Sequence, residues 1–257
     1  MTAKNLTDAL ALGPREHVAL VGGGGKTSIM GALAEELNKR GGRVVTTTTT
    51  KVSQEEAKRF PCLILCANDS SWEKKLQEGL KNYGYVFLAR DFSDTGKVEG
   101  IHPQLADSLF TDPLVDYLIL EADGSASHPL KAPASHEPVI PSSTSLVVAV
   151  MGLEAMGKQF GPQVVFRPEL YEKVTGLKQG MELTPDAIAM GFESTHGLFK
   201  NTPDSARRAA FLNKSDLAQD TQKARELADR LLQGPHPEVE AVVIGSVALK
   251  TYTRIER

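Results

Sequence analysis

A short, mostly apolar run, His17-Val18-Ala19-Leu20-Val21, leads directly into four glycines, Gly22–Gly25, then Lys26 and Thr27. Beyond them Ile29, Met30, Leu33 and Leu37 recur at the spacing of one helix face, predicting a helix over about 27–40. Gly41 and Gly42 supply its stop, and a second strand is expected from Arg43 to about Thr47. Strand, glycine loop, helix and strand in such close succession point to an α/β fold with a mostly parallel sheet.

The alternation continues along the chain. Ser53–Phe60 and Trp72–Asn82 read as helices, Leu63–Cys66 and Tyr85–Ala89 as strands, and Leu105–Phe110 as a short helical stretch. Tyr117–Leu120 and Leu146–Met151 are continuous apolar runs, as expected of strands buried on both faces. Helices are expected near 168–176 and 184–190, and strands at Ala209–Leu212 and Val239–Gly245. Ala224, Leu227, Ala228, Leu231 and Leu232 mark one more helix face. Between Ala122 and Ser145, Pro129, Pro133, Pro138 and Pro141 argue against regular structure. A loop this long inside a compact domain is usually functional or disordered. The expectation is one domain over 1–257, with a proline-rich active-site loop at about 124–143 and a helical insertion at about 152–204.

The 257 residues suffice to bury a substantial core. A formal net charge of −3 gives no electrostatic footprint for nucleic acid or a membrane surface. No apolar run reaches membrane-spanning length, and the N-terminus lacks the order of a secretory signal, so the expected compartment is the cytoplasm. The two cysteines, Cys62 and Cys66, flank one strand. Four strand residues separate their Cα atoms by roughly 13 Å, too far for a disulfide. They read as core thiols in a reducing compartment, with a sulfur- or selenium-handling pair as the alternative.

Gly25-Lys26-Thr27 matches the functional end of the phosphate-binding P-loop, in which backbone N–H groups wrap phosphate, a lysine reaches the β/γ oxygens and a hydroxyl binds Mg²⁺. Gly22, Gly23, Gly24 and Ser28 are the other candidate nucleotide contacts. The first glycine of the commonest pattern is replaced by Leu20. The loop is nearer to that of partition- and metallochaperone-type NTPases, with Val21 in place of their extra lysine. A flexible glycine turn beside a surface lysine would not explain its position between a strand and a helix N-terminus.

Glu121 ends the apolar run at Tyr117–Leu120, where a carboxylate can serve Mg²⁺. Gly124, three residues on, is placed to sense a γ-phosphate, and Asp123 is a competing acid. Asn213-Lys214-Ser215-Asp216 follows another strand and matches the Asn-Lys-x-Asp pattern that reads guanine. A carboxylate can accept guanine N1–H and its 2-amino group, which adenine lacks. The alternative is a helix start capped by Asp216. Ser246 lies at a later strand end, where a backbone N–H could meet guanine O6.

With these pieces placed, the chain resembles the YqeC family, accessory proteins of selenium-dependent molybdenum hydroxylases. The resemblance rests on Leu20–Thr27, Thr47–Lys51, Glu121–Ser125, Pro129–Pro133, His136–Pro141, Arg167–Leu170 and Asn213–Asp216. Ser28 and Ser127 depart from it, standing where a threonine and a basic or small residue are expected. The resemblance implies a three-layer P-loop NTPase and a role in maturing a selenium-containing molybdenum cofactor, with a hydroxylase client or cofactor intermediate as partner. On this reading Lys131 faces a phosphate or anionic substrate, with a catalytic role. His136 and Glu137 are candidates for metal or substrate, and Arg167 for phosphate or substrate. Thr49, Thr50 and Lys51 are candidates for a contact to Mg²⁺ or γ-phosphate, Thr50 for the metal and Lys51 for substrate.

Three functions remain open. The first is a GTP-binding and GTP-hydrolysing accessory protein that uses Mg²⁺, with ATP as the alternative nucleotide. The second is a kinase-like or nucleotidyl-type enzyme acting on a small anion. The third is a non-catalytic nucleotide-binding chaperone. A homodimer across the nucleotide is an arrangement open to each.

Overall fold

In the computed structural model, which describes residues 1–234 and 238–257, β2 (Glu16–Gly22) is buried along its whole length and passes through the glycines into α2 (Lys26–Lys39). It belongs to a ten-stranded sheet. The order is β1 (Thr2–Ala3), β15 (Thr251–Glu256), β14 (Ala241–Ser246), β13 (Arg207–Asn213), β11 (Leu146–Gly152), β2, β9 (Tyr117–Glu121), β3 (Val44–Thr48), β6 (Tyr85–Ala89) and β5 (Leu63–Leu65). From β14 to β5 every pairing is parallel. Only β15 and β1 run antiparallel to their neighbours, at one edge.

Alternate residues of the central strands feed two cores. Val18, Leu20, Val148 and Val150 pack with α1 (Leu6–Ala9), α2 and α3 (Gln54–Ala57). Ala19, Val21, Val147 and Ala149 pack with α4 (Trp72–Tyr83), α5 (Pro103–Thr111), α7 (Pro185–Glu193) and α8 (Thr221–Gln233). Burial on both faces is why these strands read as continuous apolar runs. The result is a three-layer α/β architecture around a mostly parallel sheet.

Two small sheets flank the site. β4 (Lys51–Ser53) pairs with β8 (Lys97–Glu99), which pairs with β7 (Asp91–Phe92). Within the proline-rich stretch, β10 (Leu130–Lys131) pairs with β12 (Val165–Phe166), so this stretch is less irregular than its prolines suggested. The segment after β12 carries α6 (Pro168–Thr175) and α7. Cys62 and Cys66 flank the edge strand β5, half-buried and packed against one of the two cores, and burial raises both thiol pKa values. No helix among the described residues is long and apolar enough to cross a membrane.

Candidate nucleotide site

Because β2, β3, β9, β11, β13 and β14 are parallel, their carboxyl ends share one edge, the place where open α/β sheets bind ligands. Register aligns Leu20 with Glu121, Val150 with Gly22, and Gly152 with Asn213. The glycine loop, Glu121 and Asn213 therefore meet at this edge although they are far apart in sequence.

The glycines have a structural reason beyond phosphate approach. A Cβ on Gly22 would lie 2.3 Å from the Val150 carbonyl oxygen, one on Gly23 2.5 Å from that of His128, and one on Gly24 2.1 Å from the Gly152 nitrogen. The end of β11 and the proline-rich segment press directly on the loop. Gly23 N–H donates to Val150 O (2.9 Å), Gly24 N–H to His128 O (3.0 Å), and Gly22 N–H to the Asp123 carboxylate (2.9 Å to Oδ2). Among the described residues, nothing accepts from the N–H groups of Gly25, Lys26, Thr27 and Ser28. Free N–H groups at the start of a helix favour an anion.

Lys26 is buried, and its ammonium donates to Gly22 O at 2.6 Å. It also lies 3.1 Å from Asp123 and 3.8 Å from Glu121. Burial pulls its pKa down, but Asp123, Glu121 and Glu137 outweigh this and hold it above the ordinary lysine value. Glu121 accepts the Thr27 hydroxyl at 2.6 Å. Burial pushes its pKa up, against the pull of Lys26 and Thr27. The Thr27 hydroxyl and the Glu121 carboxylate are hard oxygen donors side by side, a set that fits Mg²⁺.

From Asp123 the charges alternate outward. Lys131, with its side chain fully buried, lies 3.1 Å from Asp123 and 2.7 Å from Glu137, and donates to Gly124 O. Glu137 in turn accepts hydrogen bonds from both terminal guanidinium nitrogens of Arg167, which stacks on Phe166. Burial raises the Glu137 pKa, but Arg167 and Lys131 more than reverse this and bring it down to about 2. Lys131 is thus paired inward with two carboxylates. His136 is exposed while its neighbour Glu137 is buried, so the two do not converge on one ligand.

At the other end of the edge, the Asn213 amide donates to Gly24 O at 2.8 Å and accepts Val247 N–H at 3.3 Å. It joins the glycine loop to the turn after β14, and it occupies an N–H near the one expected to meet a base. Asp216 is exposed, and Lys214 pairs with Glu154. Ser246 is buried and its hydroxyl accepts Leu249 N–H. Thr50 bonds back to Thr48, and Lys51 pairs with Glu99 at the surface, so neither side chain is bonded to Thr27 or to the Glu121 carboxylate. Ser28 is exposed. A pocket of about 260 Å³ opens at Thr27 and Ser28, walled by Arg59, Phe60, Val247 and Lys250.

One participant, Glu56, was not read from the sequence, and His128, weighed there as a metal candidate in a solvated loop, has a different place. Glu56 reaches within 3.4 Å of the Thr27 hydroxyl. Its only sequence signal is the capping box it forms with Ser53, which speaks of a helix start and not of a site. His128 is held over the loop, with Nδ1 at 2.9 Å from Ala126 O and Nε2 at 3.0 Å from Pro162 O.

The family model described as YqeC protein matches residues 18–169, from Val18 in β2 to Glu169. A protein of Escherichia coli (strain K12) described as Uncharacterized protein YqeC is 33% identical over 231 residues, covering 90% of this chain and 87% of that one. The chain belongs to the YqeC family. Within this YqeC chain the matched stretch takes in Lys26, Glu121, Asp123, Lys131, Glu137 and Arg167, the whole alternating-charge row. Among solved structures, chloroplast FtsY from Physcomitrella patens superposes on 91% of this chain at 12% identity and a TM-score of 0.37. The chain spans 60% of that FtsY chain, and a likeness so small carries no weight for function.

Proposed function

We propose that this YqeC-family chain binds a nucleoside triphosphate with Mg²⁺ at the carboxyl edge of its sheet, and that the nucleotide is GTP. The observation that carries the reading is Asn213, whose one amide fastens the glycine loop to the turn after β14 and leaves Asp216 exposed beside it. Such an arrangement suits a base reader, with an exposed carboxylate on the short turn Ser215–Leu217 just beyond a strand end that is bonded to the phosphate grip.

The residues divide the work by chemistry. The free N–H groups of Gly25–Ser28 and the Lys26 ammonium would take phosphate oxygens. Thr27 and Glu121 would hold Mg²⁺, which supplies charge neutralisation on the phosphates. Asp123 would give up Lys26 to the phosphate and stay with Lys131. Asp216 would accept the guanine N1–H and amino group. Hydrolysis would then depend on positioning and electrostatics, with no covalent enzyme intermediate.

Titration with GTP, ATP and CTP in the presence of Mg²⁺ tests the reading. GTP should bind with clear preference, and Asp216→Asn should lose GTP and gain xanthosine triphosphate. Selective ATP binding would overturn the base assignment. Turnover to GDP and inorganic phosphate is expected, whereas a phosphorylated or nucleotidylated small product would favour the kinase-like reading. The client, a selenium-dependent molybdenum hydroxylase in the cytoplasm, rests on family membership. Equal activity and cofactor content of such a hydroxylase from cells with and without this chain would remove the accessory role.

A further inference from the structure

The Thr27 hydroxyl faces two carboxylates but has one proton to give. Glu121 Oε1, at 2.6 Å, takes it. Glu56 Oε1 stands 3.4 Å from the same oxygen, with no donor between them. The other oxygen of Glu56 is satisfied by the Ser53 N–H and O–H, at 3.1 and 3.0 Å. One lobe of this carboxylate therefore holds the start of α3, while the other is turned toward Thr27.

Within the cluster joined by hydrogen bonds and ion pairs, Lys26, Lys131 and Arg167 oppose Glu56, Glu121, Asp123 and Glu137, while Arg59, Lys250 and Glu35 line the pocket beyond it. Lys131 and Arg167 are committed to the Asp123–Glu137 side, and Lys26 is closer to Asp123 than to Glu121. Glu56, which has no ion-pair partner among the described residues, is the carboxylate of this cluster left beside Thr27. Glu56 also acts on Glu121 as a like charge, one of the causes that raise its pKa. Both carboxylates and the hydroxyl are hard oxygen donors, and the pocket of about 260 Å³ opens onto Thr27 and so gives a solvated cation a route in.

We propose that Glu56 is a metal-positioning residue: with Thr27 and Glu121 it completes an all-oxygen site for Mg²⁺, directly or through a bound water, in the part that the threonine run suggested for Thr50. The inference rests on the nucleotide reading above and deepens it. It also makes the β4–α3 segment the element that closes on the metal, because the capping box fixes the Glu56 side chain to that segment.

Two substitutions separate this role from helix capping. Glu56→Gln keeps the capping box, which accepts Gln as well as Glu, but removes the charge. Ser53→Ala removes the hydroxyl half of the box but keeps the Glu56 charge and the Ser53 N–H bond that holds its side chain. Mn²⁺ binding is read by electron paramagnetic resonance with a non-hydrolysable GTP analogue present, alongside nucleotide affinity with and without Mg²⁺. Glu56→Gln should weaken metal binding by about tenfold or more, the effect typical of losing a supporting group around a metal. It should leave metal-free nucleotide affinity unchanged or higher. Ser53→Ala should lower thermal stability and keep wild-type metal affinity. Wild-type Mn²⁺ affinity in Glu56→Gln would overturn the inference while leaving the nucleotide reading intact. Absence of nucleotide binding by the wild-type protein at any Mg²⁺ concentration would overturn both.

Discussion

The Asp123 carboxylate lies 3.1 Å from the Lys26 ammonium and accepts the Gly22 N–H, two groups that a P-loop otherwise turns toward phosphate. An internal anion thus holds part of the place that an external one would take. Asp123→Asn removes the competitor's charge, so triphosphate affinity should rise several-fold. The same change strips Lys26 and Lys131 of a buried partner, and losing one member of a buried pair typically costs about 3–5 kcal/mol. Denaturant unfolding should show a loss of that order without nucleotide and a smaller one with saturating Mg²⁺–nucleotide. A fall in affinity would instead make Asp123 part of the ligand's own shell.

Asn213→Ala tests a different link. It leaves Gly24 O and Val247 N–H without their shared partner, and a buried group left unsatisfied costs about 1–3 kcal/mol. Affinity for GTP and ATP should fall together, because the phosphate grip itself loosens. Asp216→Asn, at an exposed residue, should alter base preference with little change in melting temperature.

Glu137 sets an acid limit on stability. Its folded pKa of about 2 lies below the ordinary 4.5, so between those values the unfolded chain binds the proton and the native one does not. Its contribution is fully present above pH 4.5 and is lost as pH falls toward 2. At about 1.4 kcal/mol per pH unit, that span corresponds to about 3 kcal/mol. Unfolding free energies measured between pH 6 and 3 should fall less steeply in Glu137→Gln than in the wild type. Equal slopes would show that Lys131 and Arg167 do not hold this carboxylate ionised.

Two glycines should respond oppositely to alanine. Gly24 has φ +75°, and its Cβ would meet the Gly152 nitrogen at 2.1 Å, so Gly24→Ala should destabilise by more than about 2 kcal/mol. Gly31 lies on α2 with open space around a built Cβ. Gly31→Ala should stabilise by about 0.5–1 kcal/mol, the helix-propensity gain. Melting curves of the two variants decide this.

The sheet was legible because burial on both faces writes itself as apolar runs, and Tyr117–Glu121 and Leu146–Gly152 are read almost to their ends. Glu121 stood out for the same reason, as a charge closing such a run. The antiparallel β15 was not legible, since Tyr252 and Ile255 are its only buried residues and leave no period to find. Nor was the partnership of Lys131 with Asp123 and Glu137. A buried lysine looks like any other in sequence, and only the fold of the proline-rich stretch turns its ammonium inward. Glu56 was hidden because β4 and β8, distant in sequence, must pair before its helix can stand over Thr27.

The proline-rich segment touches the sheet edge through two consecutive carbonyls, His128 O on Gly24 N–H and Pro129 O on Gly152 N–H. Two adjacent peptide units therefore button the loop after β2 to the end of its neighbour β11. Lifting this short stretch would release both bonds together, which couples the opening of the two strand ends. The Gly24 and Gly152 amide protons should accordingly exchange with solvent as a single clock, timed by a segment that belongs to neither strand.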